Sequence, residues 1–228
     1  MNFYMINEQL DAQMKEIKQR ITLSMNGVTS DSMIEKGVKY KKNYGVSIPV
    51  LREIAALYIP STDLANRLWL LGWRETMLLS IFLEPIERMT IDKAIARIKS
   101  SSEKELIDCI CLYLLNKLCF SPQLILALLA EENRNCDVAA FMLAARNYQQ
   151  LNRAEIDLII QKGIELSVTN DFELYKSIAI CFGRFCRIDS QRAESLKQLA
   201  EVFLNDQISS QVAIATEVKQ ELEFLINL

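Results

Sequence analysis

Histidine is absent from the 228 residues. That removes Ser-His and Cys-His nucleophile pairs, a His general base and His metal ligands. Any catalysis has to run on carboxylates, Lys, Tyr, Cys or fixed electrostatic fields. Glycine and proline are scarce, six and four, and an all-β fold needs far more turns than they supply. Long apolar runs are missing too. "LILALLA" and "VAAFMLAA" fall well short of the ~18 residues that span a bilayer. The start, "MNFYMINEQLDAQMKEIKQR", lacks a basic segment followed by an apolar one, so a cytoplasmic, membrane-free protein is expected. There is no G-x-G-x-x-G and no Walker loop to cradle nucleotide phosphates, so no cofactor is expected. The six cysteines form no C-x-x-C pair. Cys109 and Cys111 sit two apart and would point about 200° apart on a helix, so no metal site is expected and the thiols read as reduced core residues. An excess of positive charge is also lacking, since the net charge is −3. A nucleic-acid binder with this balance needs a local basic face.

What is present is helical periodicity. Half of the residues are hydrophobic and 24% charged, which suits a soluble globular chain. Leu10, Met14, Ile17 and Ile21 form one amphipathic stripe. Start signals recur: Ser47 before Pro49, Ser121 before Pro122, an S-x-x-E box at Ser102 and Glu105, and a similar one at Asn152 and Glu155. Gly72 falls where a helix begun near Asp63 should stop. Helix starts are expected near residues 6, 31, 48, 63, 73, 91, 102, 122, 135, 153, 171, 191 and 209. From residue 122 every second start recurs after roughly 30–40 residues, the period of helix-pair repeats. The expected fold is therefore all-α, HEAT-like helix pairs stacked into a curved α-solenoid. No Pro/Ser/Gly-rich linker interrupts it, so residues 1–228 are expected to form a single helical domain.

One block carries a family signature. "NYGVSIPVLREIAALYIPSTDLANRLWLLGWRETMLLSIFL" resembles the front half of the DNA alkylation repair family, the HEAT-like repeat DNA glycosylases. Tyr44, Gly45, Val46, Pro49, Leu51 and Arg52 match its aromatic-x-Gly-Val-x-x-Pro-x-x-Arg segment. Asp63, Leu64, Ala65, Leu68, Trp69, Gly72, Glu75, Leu78 and Leu79 match the stretch that follows. "LYKSIAICFGRF" and "FLNDQISSQVAIATEVKQEL" resemble later family segments. The resemblance implies excision of cationic N3- or N7-alkylpurines from duplex DNA. It places the reacting carboxylate on Asp108, at the end of "EKELID". Lys176 and Arg184 match family cations. Other positions depart from the pattern: Lys104 and Cys181 stand where the family has Trp, and Asp137 and Val138 where it has paired Arg.

These departures bear on the chemistry. A carboxylate stabilises the sugar cation that develops as the base leaves, and aromatic rings hold a cationic base. Lys104, one helical turn before Asp108, would instead pair with that carboxylate. The alternative reading is a member that has lost excision and serves as a nucleic-acid or protein-binding scaffold, with a protein partner if it is not an enzyme. "EKGVKYKKNYG" places Lys36, Lys39, Lys41 and Lys42 around Tyr40 and Tyr44, a pattern suited to a phosphate backbone and equally to a solvated loop. With Arg52, Lys176 and Arg184 these residues form the expected DNA contacts. Trp69 and Trp73 read as core packing. Arg184 and Arg187 suit either a phosphate clamp or a surface face balanced by Asp189.

Overall fold

The structure, a computed structural model, describes residues 7–226. The helix start expected near residue 6 lies outside the described residues. Among the described residues there are thirteen α-helices and no strand, so the all-α expectation holds. None of these helices is long and apolar enough to cross a membrane. The chain divides into two compact units, residues 1–90 and 91–228.

The first unit holds α1 (Glu8–Leu23), α2 (Gly27–Glu35), α3 (Ile48–Ala55), α4 (Thr62–Leu70) and α5 (Arg74–Leu83). Asn7 caps α1 by accepting from the Leu10 amide, which satisfies one of the orphan N–H groups of the first turn. Met14, Ile17 and Ile21 of the expected stripe are buried. α2 begins four residues before its expected start, because Asn26 caps it through the Thr29 amide. Pro49 occupies the first turn of α3, where its missing N–H costs nothing. α4 stops at Gly72, whose φ of +68° is the left-handed conformation glycine adopts freely. α5 is buried along nearly its whole length and packs on both α3 and α4.

The second unit holds α6 (Ile91–Lys99), α7 (Lys104–Tyr113), α8 (Ser121–Leu129), α9 (Arg134–Asn147), α10 (Arg153–Glu165), α11 (Phe172–Phe185), α12 (Ser190–Asp206) and α13 (Ser209–Ile226). α8 lies against α6 and α10 in one row, while α9 lies against α7 and α11, and α11 against α13, in the other. That is the helix-pair layering expected from the repeat spacing. The capping box at Asn152 and Glu155 is formed in both directions. The one expected at Ser102 is not: α7 is preceded by Glu103, with no side-chain cap bond. α10 and α11 approach closely at Gly163, where an added Cβ would lie 2.6 Å from Phe182 Cζ. Five cysteines are buried, as expected of core thiols; Cys119 is exposed and corrects that reading.

Candidate nucleic-acid interface

In the first unit the lysine segment is a shaped loop. The Lys41 amide donates to Gly72 O at 3.2 Å, and the Arg74 amide donates to Lys42 O at 2.9 Å. These bonds pin the loop to the turn between α4 and α5. Its second half is held from inside by Glu75, which is fully buried. The Tyr44 amide donates to both Glu75 oxygens at 3.1 Å, and the Val46 amide to Oε1 at 3.3 Å. Arg74, also buried, donates from Nη1 to Glu75 Oε1 at 3.1 Å and to Val46 O at 2.8 Å. A buried carboxylate is tolerable when paired and hydrogen-bonded in this way. Gly45 turns the chain at φ +67°, with Asn26 O only 2.2 Å from where a Cβ would stand.

The side chains on this frame face outward. Lys36, Lys39, Lys41 and Lys42 are exposed, as is Arg52 on α3, while Tyr44 is half-buried. Trp69 and Trp73 are half-buried too, which corrects their reading as core. The Trp73 ring lies 5.7 Å from Tyr44 between centroids. Lys42 Nζ stands 4.6 Å from its centroid and Lys18 Nζ 5.7 Å. Lys18, on α1, escapes a reading of the loop alone, because it is 24 residues from Lys42 and joins it only through the fold.

In the second unit Asp108 is half-buried on α7, with Lys104 Nζ 2.5 Å from its Oδ2. The same ammonium lies 3.4 Å from Glu173 Oε2 on α11. Burial works against the Lys104 charge, but the Asp108 hydrogen bond and the attraction of both carboxylates outweigh it and raise its pKa. Asp108 Oδ1 is shut off from solvent and has no hydrogen-bond partner. Beside this group Arg134 grips Asp171 through two bonds, of 2.6 and 2.9 Å, and the Arg134 hydrogen bond holds the Asp171 carboxyl below its usual range.

Lys176 and Arg184 fall on one exposed stripe of α11 with Phe172 and Ile180, four residues apart at each step. Lys176 Nζ is 5.3 Å from the Phe172 ring. Arg187 pairs with Glu221 and lies over Phe224, while Asp189 caps α12, so the expected Asp189 balance is replaced by Glu221. Cys181 is fully buried, and burial pushes its thiol well up; no side chain there faces a ligand. Asp137 and Val138 are buried as well. Burial raises the Asp137 carboxyl to about 6, with Lys162 pulling the other way.

No protein-family model and no curated protein matches the chain. A solved structure matches 92% of it, and 93% of that structure's own chain, at a TM-score of 0.73 and 13% identity. It is described as "A new family of proteins related to the HEAT-like repeat DNA glycosylases with affinity for branched DNA structures". The likeness is one of fold: this chain has the helical architecture of proteins related to the HEAT-like repeat DNA glycosylases.

Proposed function

We propose that the chain is a DNA-binding protein that grips the phosphate backbone through the basic loop of its first unit and prefers branched to linear duplex. One observation carries the reading. The backbone of Lys41 and Lys42 is fixed to the α4–α5 turn while both side chains stay exposed beside a half-exposed tryptophan. Cations on a preformed frame lose less entropy on meeting phosphate than cations on a loose loop. The preference for branches is taken from the fold relative. Anisotropy of a labelled four-way junction and of a linear duplex of equal length tests both parts. The junction is expected to bind more tightly, and both complexes to weaken steeply with salt as counterions are released. Replacing Lys41 and Lys42 together by Ala should weaken both and lower the salt slope by about 2. Absence of binding to either DNA at low salt removes the reading.

Excision is a second reading, favoured by the unpartnered Oδ1 of Asp108. Shut off from solvent, that oxygen touches no substrate and would act on a developing sugar cation only through its field. Against it stands Lys104, which neutralises the other oxygen and would repel a cationic base. If excision occurs, it is slow and confined to cationic alkylpurines, whose sugar bond is already labile. Release of 7-methylguanine from methylated DNA should exceed spontaneous loss with the native chain and fall to background with Asp108→Asn. Equal release by the two proteins would end the catalytic assignment.

A further inference from the structure

A cleft of about 410 Å3 opens between α1 and α4, within the roughly 300–1,000 Å3 range of small-molecule sites. Its apolar lining is Met14, Leu70 and Leu71, and Leu70 is 56% exposed. Its walls are cationic, with Lys15, Lys18 and Arg67. One anion answers them, Asp11, whose Oδ1 accepts from Arg67 Nη1 at 2.7 Å. The cleft does not end at its own lining. Lys18 belongs both to its wall and to the Trp73 ring, and Trp73 follows Leu71 by two residues. Lys18 thus links the lining of the cleft to the Trp73 ring within the first unit.

We infer that this cleft, with Trp73 at its edge, seats one unpaired nucleotide of DNA. The inference rests on the DNA-binding reading and adds to it the part of the molecule that recognises an unpaired base. The chemistry matches on each side. A nucleobase offers a flat apolar face, which Trp73 and the leucines accept. Its flanking phosphates are dianionic as a pair; Lys15 and Lys18 line the cleft, and Lys42 stands beside the Trp73 ring. The Lys18 and Lys42 ammonium groups stand near the ring. An arriving base takes the ring face, and the two ammonium groups turn outward to the phosphates. A paired base in a duplex is stacked on its neighbours and offers no free face, so the seat discriminates in favour of flaps, bulges and branch points.

Trp69→Phe leaves Trp73 as the sole tryptophan, since the chain has two. In that background a ten-nucleotide oligo-dT is expected to quench the Trp73 emission, and an abasic strand of equal length to leave it unchanged. Trp73→Ala should lower affinity for a flap substrate by roughly 10-fold, the loss of one stacked base, and lower linear-duplex affinity by a clearly smaller factor. Trp73→Phe keeps a ring and should recover most of the loss. Thr76 Oγ1 and the Met77 amide donate to the carbonyl of residue 73, so both variants retain these bonds. Equal quenching by both strands, or no quenching while the junction still binds, overturns the seat and leaves the DNA-binding reading standing. Absence of binding to every DNA removes both.

Discussion

Asp137, which the resemblance reads as a departure from an expected arginine, is 8% exposed, with Oδ1 lacking a partner. Burial raises its carboxyl from 3.8 to about 6. Between those values the folded chain holds a proton that the unfolded chain has lost, so this group makes stability fall as pH rises. Above about 6 the penalty is fully present; toward 4 it vanishes. Asp137→Asn keeps the shape without the charge. Allowing for the solvent that still reaches the group, it should gain about 1–2 kcal/mol at pH 7, and the gain should shrink as pH falls to about 4. Urea unfolding of both proteins at the two pH values reads the difference. Cys181 gives the opposite lesson. The resemblance expects a tryptophan there and so suggests restoring the ring, but the thiol lies in the core. Cys181→Trp should therefore destabilise by overpacking, by about 1–3 kcal/mol or more, in the same urea experiment, and add no base contact.

The loop from Lys39 to Val46 is an element in its own right, although it has no regular secondary structure. Gly45 in the loop and Gly72 in the turn it is pinned to separate two effects that a sequence alone merges. Gly72 and Gly45 both have φ near +67°, but a Cβ at Gly72 meets nothing nearer than 3.7 Å, while one at Gly45 runs into Asn26 O and Ser30 N. Gly72→Ala should cost the conformational penalty only, about 1–2 kcal/mol. Gly45→Ala must also displace backbone, so it should cost clearly more; thermal melts of the two variants rank them. Glu75→Ala should cost about 3–5 kcal/mol, because it strands the buried Arg74 and the amides of Tyr44 and Val46. The helices themselves were legible from the sequence, since their apolar stripes and caps are local: Asn152 with Glu155 formed as expected. The 3-10 turns at Ile86–Arg88, Leu115–Lys117 and Tyr148–Gln150 were not, as three residues carry no period. Of the site, Lys104 against Asp108 was legible because one helical turn separates them. Glu75 under Tyr44, Lys18 beside Trp73 and Glu173 beside Lys104 were not, since each pairing is made by tertiary contact alone.

Over the whole chain the charges divide unevenly. Residues 1–90 carry eleven Lys and Arg against ten Asp and Glu; residues 91–228 carry fifteen against nineteen. The net negative charge therefore belongs to the second unit, and the basic loop belongs to the unit that is close to neutral. DNA approaching from beyond the screening length meets a weakly repulsive molecule and finds cations only on contact. Raising salt should then speed dissociation more than it slows association, a split that stopped-flow anisotropy measures directly. The buried glutamate also sets an order of events during synthesis. Glu75 is 31 residues beyond Tyr44. A ribosome adding about 5–20 residues per second completes the lysine segment some seconds before it adds the carboxylate that shapes it. In that interval the segment is an unstructured polycation next to ribosomal RNA, the nearest polyanion in reach. Translation speed between codons 45 and 75 thus sets how long the segment waits for the carboxylate that shapes it.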